Sequence, residues 1–393
     1  MLVRHMGILS AISFVIVVVI VALLMYVLFN SSFQGAGLFN NYTQGSKNLA
    51  YTVVTTQQFV ARNQTVAYML GLINKDRANY GLAPVSLSNM TSAQQHAESM
   101  LLNNYFSHWD IHGMKPYMRY TLLGGNGAVD ENIAYMYNSS GINVLNALKQ
   151  MEYNFMYNDL ACCNNGHRKN ILTPQHNLVS IGVAYNATSI YLVEDFINYY
   201  ILWQPGSPGI SPADQVNLKG TVENGYSLSE VLVAYEPPVS NLTASQLSAA
   251  PYNSSYSFPP TVAGIGYTVG REHYYYNGIE TINATDYVLQ GNDFDVQFNM
   301  SSLVGRYGPG EYTVMEALTN GTSSPNATFI GATYTFFINK SGMAFAPSSS
   351  SDPFLATMVG TASGPRPVGS PLLTGKLAIP IPILLPADPI RLR

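Results

Sequence analysis

The run GILSAISFVIVVVIVALLMYVLF, residues 7–29, contains no charged side chain. As a helix it is long enough to cross the ~30 Å hydrocarbon core of a bilayer, where the backbone must satisfy all of its own hydrogen bonds. That segment is therefore expected to be a single transmembrane helix, and the remainder must fold on one side of the membrane. Arg4 precedes the run and no Lys or Arg follows before Lys47; this bias leaves the bulk of the chain outside the cytoplasm. The run also exceeds the ~7–15-residue apolar core of a cleavable signal peptide, which favours an uncleaved anchor in the cell membrane. Asn-X-Ser/Thr sequons recur from Asn30 to Asn339, all beyond the apolar run, and agree with a glycosylated, extracellular surface.

The 393 residues exceed one ordinary domain. Charged residues make up 10% of the chain, against roughly 25% in typical soluble proteins, and the net charge of −4 comes without a basic block. That removes the electrostatic footprint on which nucleic-acid binding depends. The only cysteines, Cys162 and Cys163, are adjacent, so no ordinary loop-closing disulfide staples the fold. A ring between the neighbours, an intermolecular bridge or two thiols remain open, with reduced thiols the expectation.

Residues 30–64 read as a stalk. Met69, Leu70, Ile73 and Arg77 then recur at helical spacing until Tyr80-Gly81. A second helix is expected from Thr91, with a T-x-x-Q capping box to Gln94, and a third from Val144 to Tyr157. VSIGVAY and IYLVEDF, joined by NATS, read as a hairpin. Helices followed by antiparallel strands make an α+β unit over residues 65–203. Residues 204–215, with Pro208 and Pro212, read as an exposed linker. Over 216–339 short alternating strands such as GEYTVMEAL and FIGATYTFFIN are expected to form an all-β, immunoglobulin-like sandwich. The Ser-, Pro- and Gly-rich residues 340–393 read as a disordered tail, whose prolines forbid a second span.

Four of the seven histidines fall between positions 108 and 176. His108 follows the second helix, His167 follows a glycine, and Glu131 and Glu152 lie between them. Two imidazoles and two carboxylates suit a divalent ion of the zinc type, with nitrogen as direct ligand and carboxylate to fix the tautomer or polarise a bound water. They stand on four separate segments, so spacing alone does not establish a metal site. His96, among apolar helical neighbours, reads as a structural residue, and Gly113 and Pro116 put His112 in a loop.

The strings NKDRANYGLAPVSL, YFSHWDIHGMKPYMRY, ENIAY, GHRKNIL, IGVAY and VEDF occur in that order. Together they resemble the CAP superfamily (cysteine-rich secretory, antigen 5 and pathogenesis-related-1 proteins) in its cysteine-poor, SCP-like microbial form, over about residues 65–203. The resemblance implies an α-β-α sandwich with an open cleft carrying two histidines and two glutamates. His108, Glu131 and His167 match the family's positions. Glu152 fits less well, because its helix lacks the usual tryptophan and MYNDLACCNN shifts the register. The implied roles are metal ligation by His108 and His167, with Glu131 and Glu152 as candidate catalytic carboxylates and zinc as the candidate ion. Arg168, Lys169 and Asn170 read as structural, and Tyr105, Trp109 and Tyr135 as candidate groove-lining aromatics. Two functions follow: a membrane-anchored binding or adhesion module for a lipid, glycan or peptide, which is preferred, and a zinc-dependent, peptidase-like hydrolase.

Overall fold

A computed structural model describes residues 60–211, 213–267, 278–322, 327–339 and 344–345, all within one compact unit, Thr56–Arg393. The expected anchor at 7–29, most of the expected stalk at 30–64 and nearly all of the expected tail at 340–393 lie outside the described residues. Among the described residues no helix is long and apolar enough to cross a membrane.

The fold is mixed α/β, with three sheets among the described residues. Helix α1 (Arg62–Asn79) leads through β1 (Ser86–Leu87) to α2 (Ser92–Asn103), α3 (Pro116–Leu122) and β2 (Ala128–Tyr137). There follow α4 (Val144–Tyr157), the short α5 (Leu160–Cys163) and α6 (Gly166–Ile171), then the hairpin β3 (Leu178–Tyr185) and β4 (Ser189–Asn198). The first sheet has the order β1-β3-β4-β2, so β2 is an edge strand.

Alternation in the hairpin builds three layers. Val179, Ile181, Val183, Ile190, Leu192 and Phe196 face α1, α4 and α6, where Met69, Ile73, Leu148, Met151, Phe155 and Ile171 close a core. Ala184, Tyr191 and Val193 face the opposite way, onto Ala93, Ala97 and Met100 of α2. Successive strand residues point to opposite faces, so one strand pair supplies both cores. Helix α2 lies so close to β3 that a Cβ at Gly182 would meet Ala93 O at 2.1 Å; only glycine fits there. Arg77, fully buried, donates to the carbonyls of Ala83, Ile171, Thr173 and His176 and ties α1 to the turn before β3.

One local expectation changes. Thr91 makes no side-chain cap on α2; Gln94 braces the strand instead, accepting from Val183 N–H and donating to Val183 O at 3.0 and 3.1 Å. The pairing of a buried strand edge outweighs the local box. Pro116 opens a helix, a position where its missing N–H has no cost.

Strands β5 (Ile201–Trp203), β6 (Gly209–Ile210), β7 (Gln215–Val222) and β8 (Ser227–Glu236), helix α7 (Ala244–Leu247), strands β9 (Thr261–Gly266), β10 (Glu280–Asn283), β11 (Asp286–Gln290) and β12 (Asp293–Asn299), helix α8 (Ser301–Tyr307), and strands β13 (Gly310–Thr319), β14 (Thr328–Ile338) and β15 (Ala344–Phe345) follow among the described residues. They form two sheets, β10-β9-β8-β13-β14-β15 and β11-β12-β7-β5 with β6 on β7. Val216, Leu218, Phe294, Val296 and Phe298 of one pack against Val231, Val233, Tyr312, Val314 and Phe336 of the other. The region is not wholly antiparallel: β9 and β10 run parallel.

The stretch expected to be an open linker follows β5 and contains β6, and both strands pair with β7. The two regions also interlock. Asn198 Nδ2 donates to Ile330 O at 2.8 Å, and Thr335 N–H donates to Thr121 Oγ1 at 3.3 Å. Lys115 and Tyr117 both reach the carboxylate of Glu236, and Ala128 packs among Leu232, Ala234, Met315 and Ile330. Limited proteolysis within residues 204–211 is therefore expected to give two fragments that co-elute on gel filtration; fragments that separate and remain folded would show two independent domains.

Candidate functional site

The cleft lies along the edge of β2. Because residues alternate across a strand, Glu131 faces the α2 side and Asn132 the α4 and α6 side, opposite Asp195 and Glu194 respectively on β4. The edge backbone of Glu131 is itself covered: its N–H donates to Tyr256 Oη at 3.0 Å, and its carbonyl accepts from Asn170 Nδ2 at 3.4 Å. His108, Asp130, Glu131, Asn132, Cys163, Gly166, His167, Asn170 and residues 255–258 line a space of about 210 Å³.

His108 is placed by a buried ionic cluster. Arg119, on α3, donates to Glu131 Oε2 at 2.6 Å and to the carbonyls of His108 and Met114 at 2.8 and 2.7 Å. Glu131 Oε1 lies 2.9 Å from His108 Nδ1, which fixes the ring and leaves Nε2 without a hydrogen bond among the described residues. Burial, reinforced by the Arg119 charge, lowers the His108 pKa to about 3, so the ring is neutral. Burial also raises Glu131, to about 7, with Arg119 opposing. Asp195 is pushed up to about 8 by burial and by Glu131. Ser92 Oγ donates to Asp195 Oδ2 at 2.5 Å, and burial disfavours charge on both carboxyls while the guanidinium opposes that effect at each. His96 is equally buried and neutral, its Nε2 on Ser107 O at 2.9 Å.

His167 comes from the other side of the strand. Its Nδ1 lies 2.6 Å from Asp159 Oδ1, and its ring stacks on Phe155 at 4.4 Å between centroids. Its carbonyl accepts from Asn132 Nδ2 at 3.2 Å. Burial lowers the His167 pKa, although Asp159 opposes it. Arg168 donates to Tyr80 Oη at 2.9 Å, and Asn170, which also lines the cleft, donates to Asn132 Oδ1 at 2.9 Å.

Residues 70–202 match the family model for the cysteine-rich secretory protein family, CAP. The chain carries a CAP domain. It is similar to an extracellular protein containing an SCP domain from Bacillus anthracis str. Ames, at 21% identity over 35% of this chain and 44% of that one, with a TM-score of 0.26. It is also similar to the CAP domain of enterococcal PrgA (16% identity, 36% and 64% covered, TM-score 0.24) and to an outer surface protein from Borrelia burgdorferi (11% identity, 35% and 96% covered, TM-score 0.26). The match spans less than two thirds of the first two of these structures. No curated protein matches the chain.

Of the four side chains anticipated in the cleft of the CAP domain, His108, Glu131 and His167 line one space. Glu152 does not. It is 2% exposed and projects from α4 into the layer that holds Glu194, beneath the sheet. Burial, then the carboxyls of Glu194 and Asp76, hold Glu152 protonated far above the usual range. The carboxylate that holds His167 is Asp159. The sequence carries a signal for it: Asn164 and Asn165, both with left-handed backbone (φ 51 and 60°), are of the residue type that tolerates this conformation, and they turn the chain back onto Asp159. The anticipated aromatics also lie elsewhere. Tyr105 is buried against Ser99 at 2.9 Å, Trp109 packs on Tyr252, and Tyr135 rests on Tyr191. The rings at the cleft are Tyr256, 5.0 Å from His108, and Phe258, stacked on Tyr117 at 4.7 Å. Both come from the segment after α7.

Because Glu152 keeps its proton in the fold and loses it in the unfolded chain above pH ~4.5, it contributes full stability only at low pH and costs stability as pH rises toward its folded value. Glu152→Gln is therefore expected to match the wild-type melting temperature near pH 4 and to exceed it above neutrality. A difference independent of pH would mean that Glu152 is ionised in the fold.

Proposed function

We propose that this chain is a membrane-anchored, extracellular binding module whose CAP cleft holds a divalent cation on His108 and His167. The observation that carries the reading is the matched treatment of the two imidazoles. Each is neutral, each has its Nδ1 held by a carboxylate, Glu131 for one and Asp159 for the other, and both line one cleft. Carboxylate–histidine pairs of this kind fix the tautomer that offers Nε2 to zinc, and neutral imidazole is the form that ligates. The donor set fits zinc, which would supply a Lewis-acidic centre for a ligand's oxygen or nitrogen atom.

Binding is favoured over hydrolysis by the state of the two glutamates. Both oxygens of Glu131 are engaged, one by His108 and one by Arg119, and Glu152 lies outside the cleft, so neither is placed as a free base. A space of about 210 Å³ is below the ~300–1,000 Å³ of pockets that enclose drug-sized ligands. It suits an ion with its waters and one side chain of a peptide, or one polar group of a glycan, better than a lipid chain. The anchor at 7–29 and the sequons support the exterior placement, and the β region, which contributes Tyr256 and Phe258, supports a site built jointly by both halves of the chain.

Isothermal titration with zinc, under oxidising conditions, is expected to show one site in the wild type. His108→Ala and His167→Ala should each remove most of the affinity. Asp159→Ala should weaken it by about 10–100-fold through loss of ring orientation, and Glu152→Ala should leave it unchanged if folded. Equal binding by the wild type and a double histidine variant would overturn the metal reading.

A further inference from the structure

The cysteine pair supplies no ligand to the cation proposed above for the cleft, although Cys163 lines that cleft. The structure joins Cys162 to Cys163 in a disulfide between neighbours, in place of the two thiols expected. Cys162 is exposed, Cys163 is partly exposed, and Cys163 lines the cleft, so a small reductant and an ion reach both from solvent. Asp159, Cys162, Cys163 and His167 each bring a ligand atom to within 4.8 Å of the others. The backbone supports this grouping: Asp159 accepts Cys163 N–H on its carbonyl at 3.0 Å and Arg168 N–H on Oδ2 at 3.1 Å. Cys162 Sγ lies 3.6 Å from both the carbonyl and Oδ1 of Asp159.

We propose that reduced Cys162 and Cys163, with His167 Nδ1 and Asp159, form a second cation site, for a thiophilic divalent ion such as zinc or cadmium, that exists only when the disulfide is open. Two thiolates, an imidazole and a carboxylate are four donors, the number a tetrahedral ion takes, and thiolate selects soft or borderline metals over calcium and magnesium. Opening the pair consumes two equivalents of a low-molecular-weight thiol. The first thiolate attacks one cysteine sulfur, breaking the Cys162–Cys163 bond and leaving a mixed disulfide. The second attacks that bond, releasing the oxidised reductant as its own disulfide and leaving two protein thiols, a transfer of two electrons and two protons. Ion binding then displaces both thiol protons to water.

His167 makes this site and the cleft site competitors. A neutral imidazole has one lone pair. With the proton on Nδ1, facing Asp159, Nε2 serves the cleft; with the proton on Nε2, Nδ1 serves the cysteines. Reduction would thus withdraw His167 from the cleft and move the ion to the thiolates. The second site shares that one residue with the cleft reading and is otherwise independent of it.

The test is a titration of the folded full-length chain with cobalt(II), after reduction by a water-soluble phosphine that is removed anaerobically. Sulfur-to-cobalt charge-transfer absorption in the near ultraviolet is expected in the reduced wild type and in reduced His108→Ala. It should be absent from the oxidised wild type and from a reduced Cys162→Ser/Cys163→Ser variant, and the affinity should be about tenfold or more weaker in reduced His167→Ala. No charge-transfer band in the reduced wild type would overturn the proposal. So would a His167→Ala variant that titrates like the wild type, because the cysteines would then be chelating alone. Failure of the cleft reading looks different: the oxidised wild type would bind no ion while the reduced band persisted.

Discussion

A guanidinium buried against a carboxylate holds the cleft in shape. Arg119 ties α3, the loop carrying His108 and the edge strand carrying Glu131 to one point. Removing either partner would leave the other charge in a dry interior, a loss of ~3–5 kcal/mol for buried pairs. The consequences spread outward from that contact. Burial raises both Glu131 and Asp195, with Arg119 opposing the rise at each, and His108 is oriented by the Glu131 carboxylate while burial, reinforced by the neighbouring cation, keeps its ring neutral. The same electrostatics that stabilise the pair thus leave a lone pair available at the cleft.

The edge of β2 is the second constraint. An unpaired strand edge leaves backbone groups seeking partners, and here Asn170 of α6 and Tyr256 of the β region satisfy those of Glu131. The segment bearing Tyr256 is fastened along its length: Ser107 Oγ donates to Tyr252 O at 2.6 Å, and Lys115 Nζ donates to Ser257 O at 3.0 Å. The second half of the chain therefore completes the wall of a site whose chemistry lies in the first, which gives a physical reason for the two to be joined so closely.

Much of this is legible in residue order. Alternation in IGVAY and VEDF places both faces of the hairpin, helical spacing locates α1 and α4, and the ENIAY and GHRKNIL strings put Glu131 and His167 beside His108. What escapes has physical causes. The partner of His167 depends on a chain reversal through two left-handed asparagines, so residue order points to Glu152 on the preceding helix and not to Asp159. Tyr256 joins the cleft from 125 residues beyond Glu131, a contact that no local pattern encodes. The Thr91 box yields to strand bracing by Gln94, whereas an identical T-x-x-Q at Thr243–Gln246, on a solvent-facing turn where nothing competes, does form the reciprocal cap.

The central claim is that His108 and His167 close on one ion from opposite sides of the β2 edge. Anomalous scattering at the zinc edge, from crystals grown oxidised and soaked in zinc, tests it most directly. The account predicts a peak about 2.0–2.1 Å from Nε2 of both rings, with Nδ1 of each still on Glu131 and Asp159. A peak on Asp130 alone, or none between the two histidines, would contradict it.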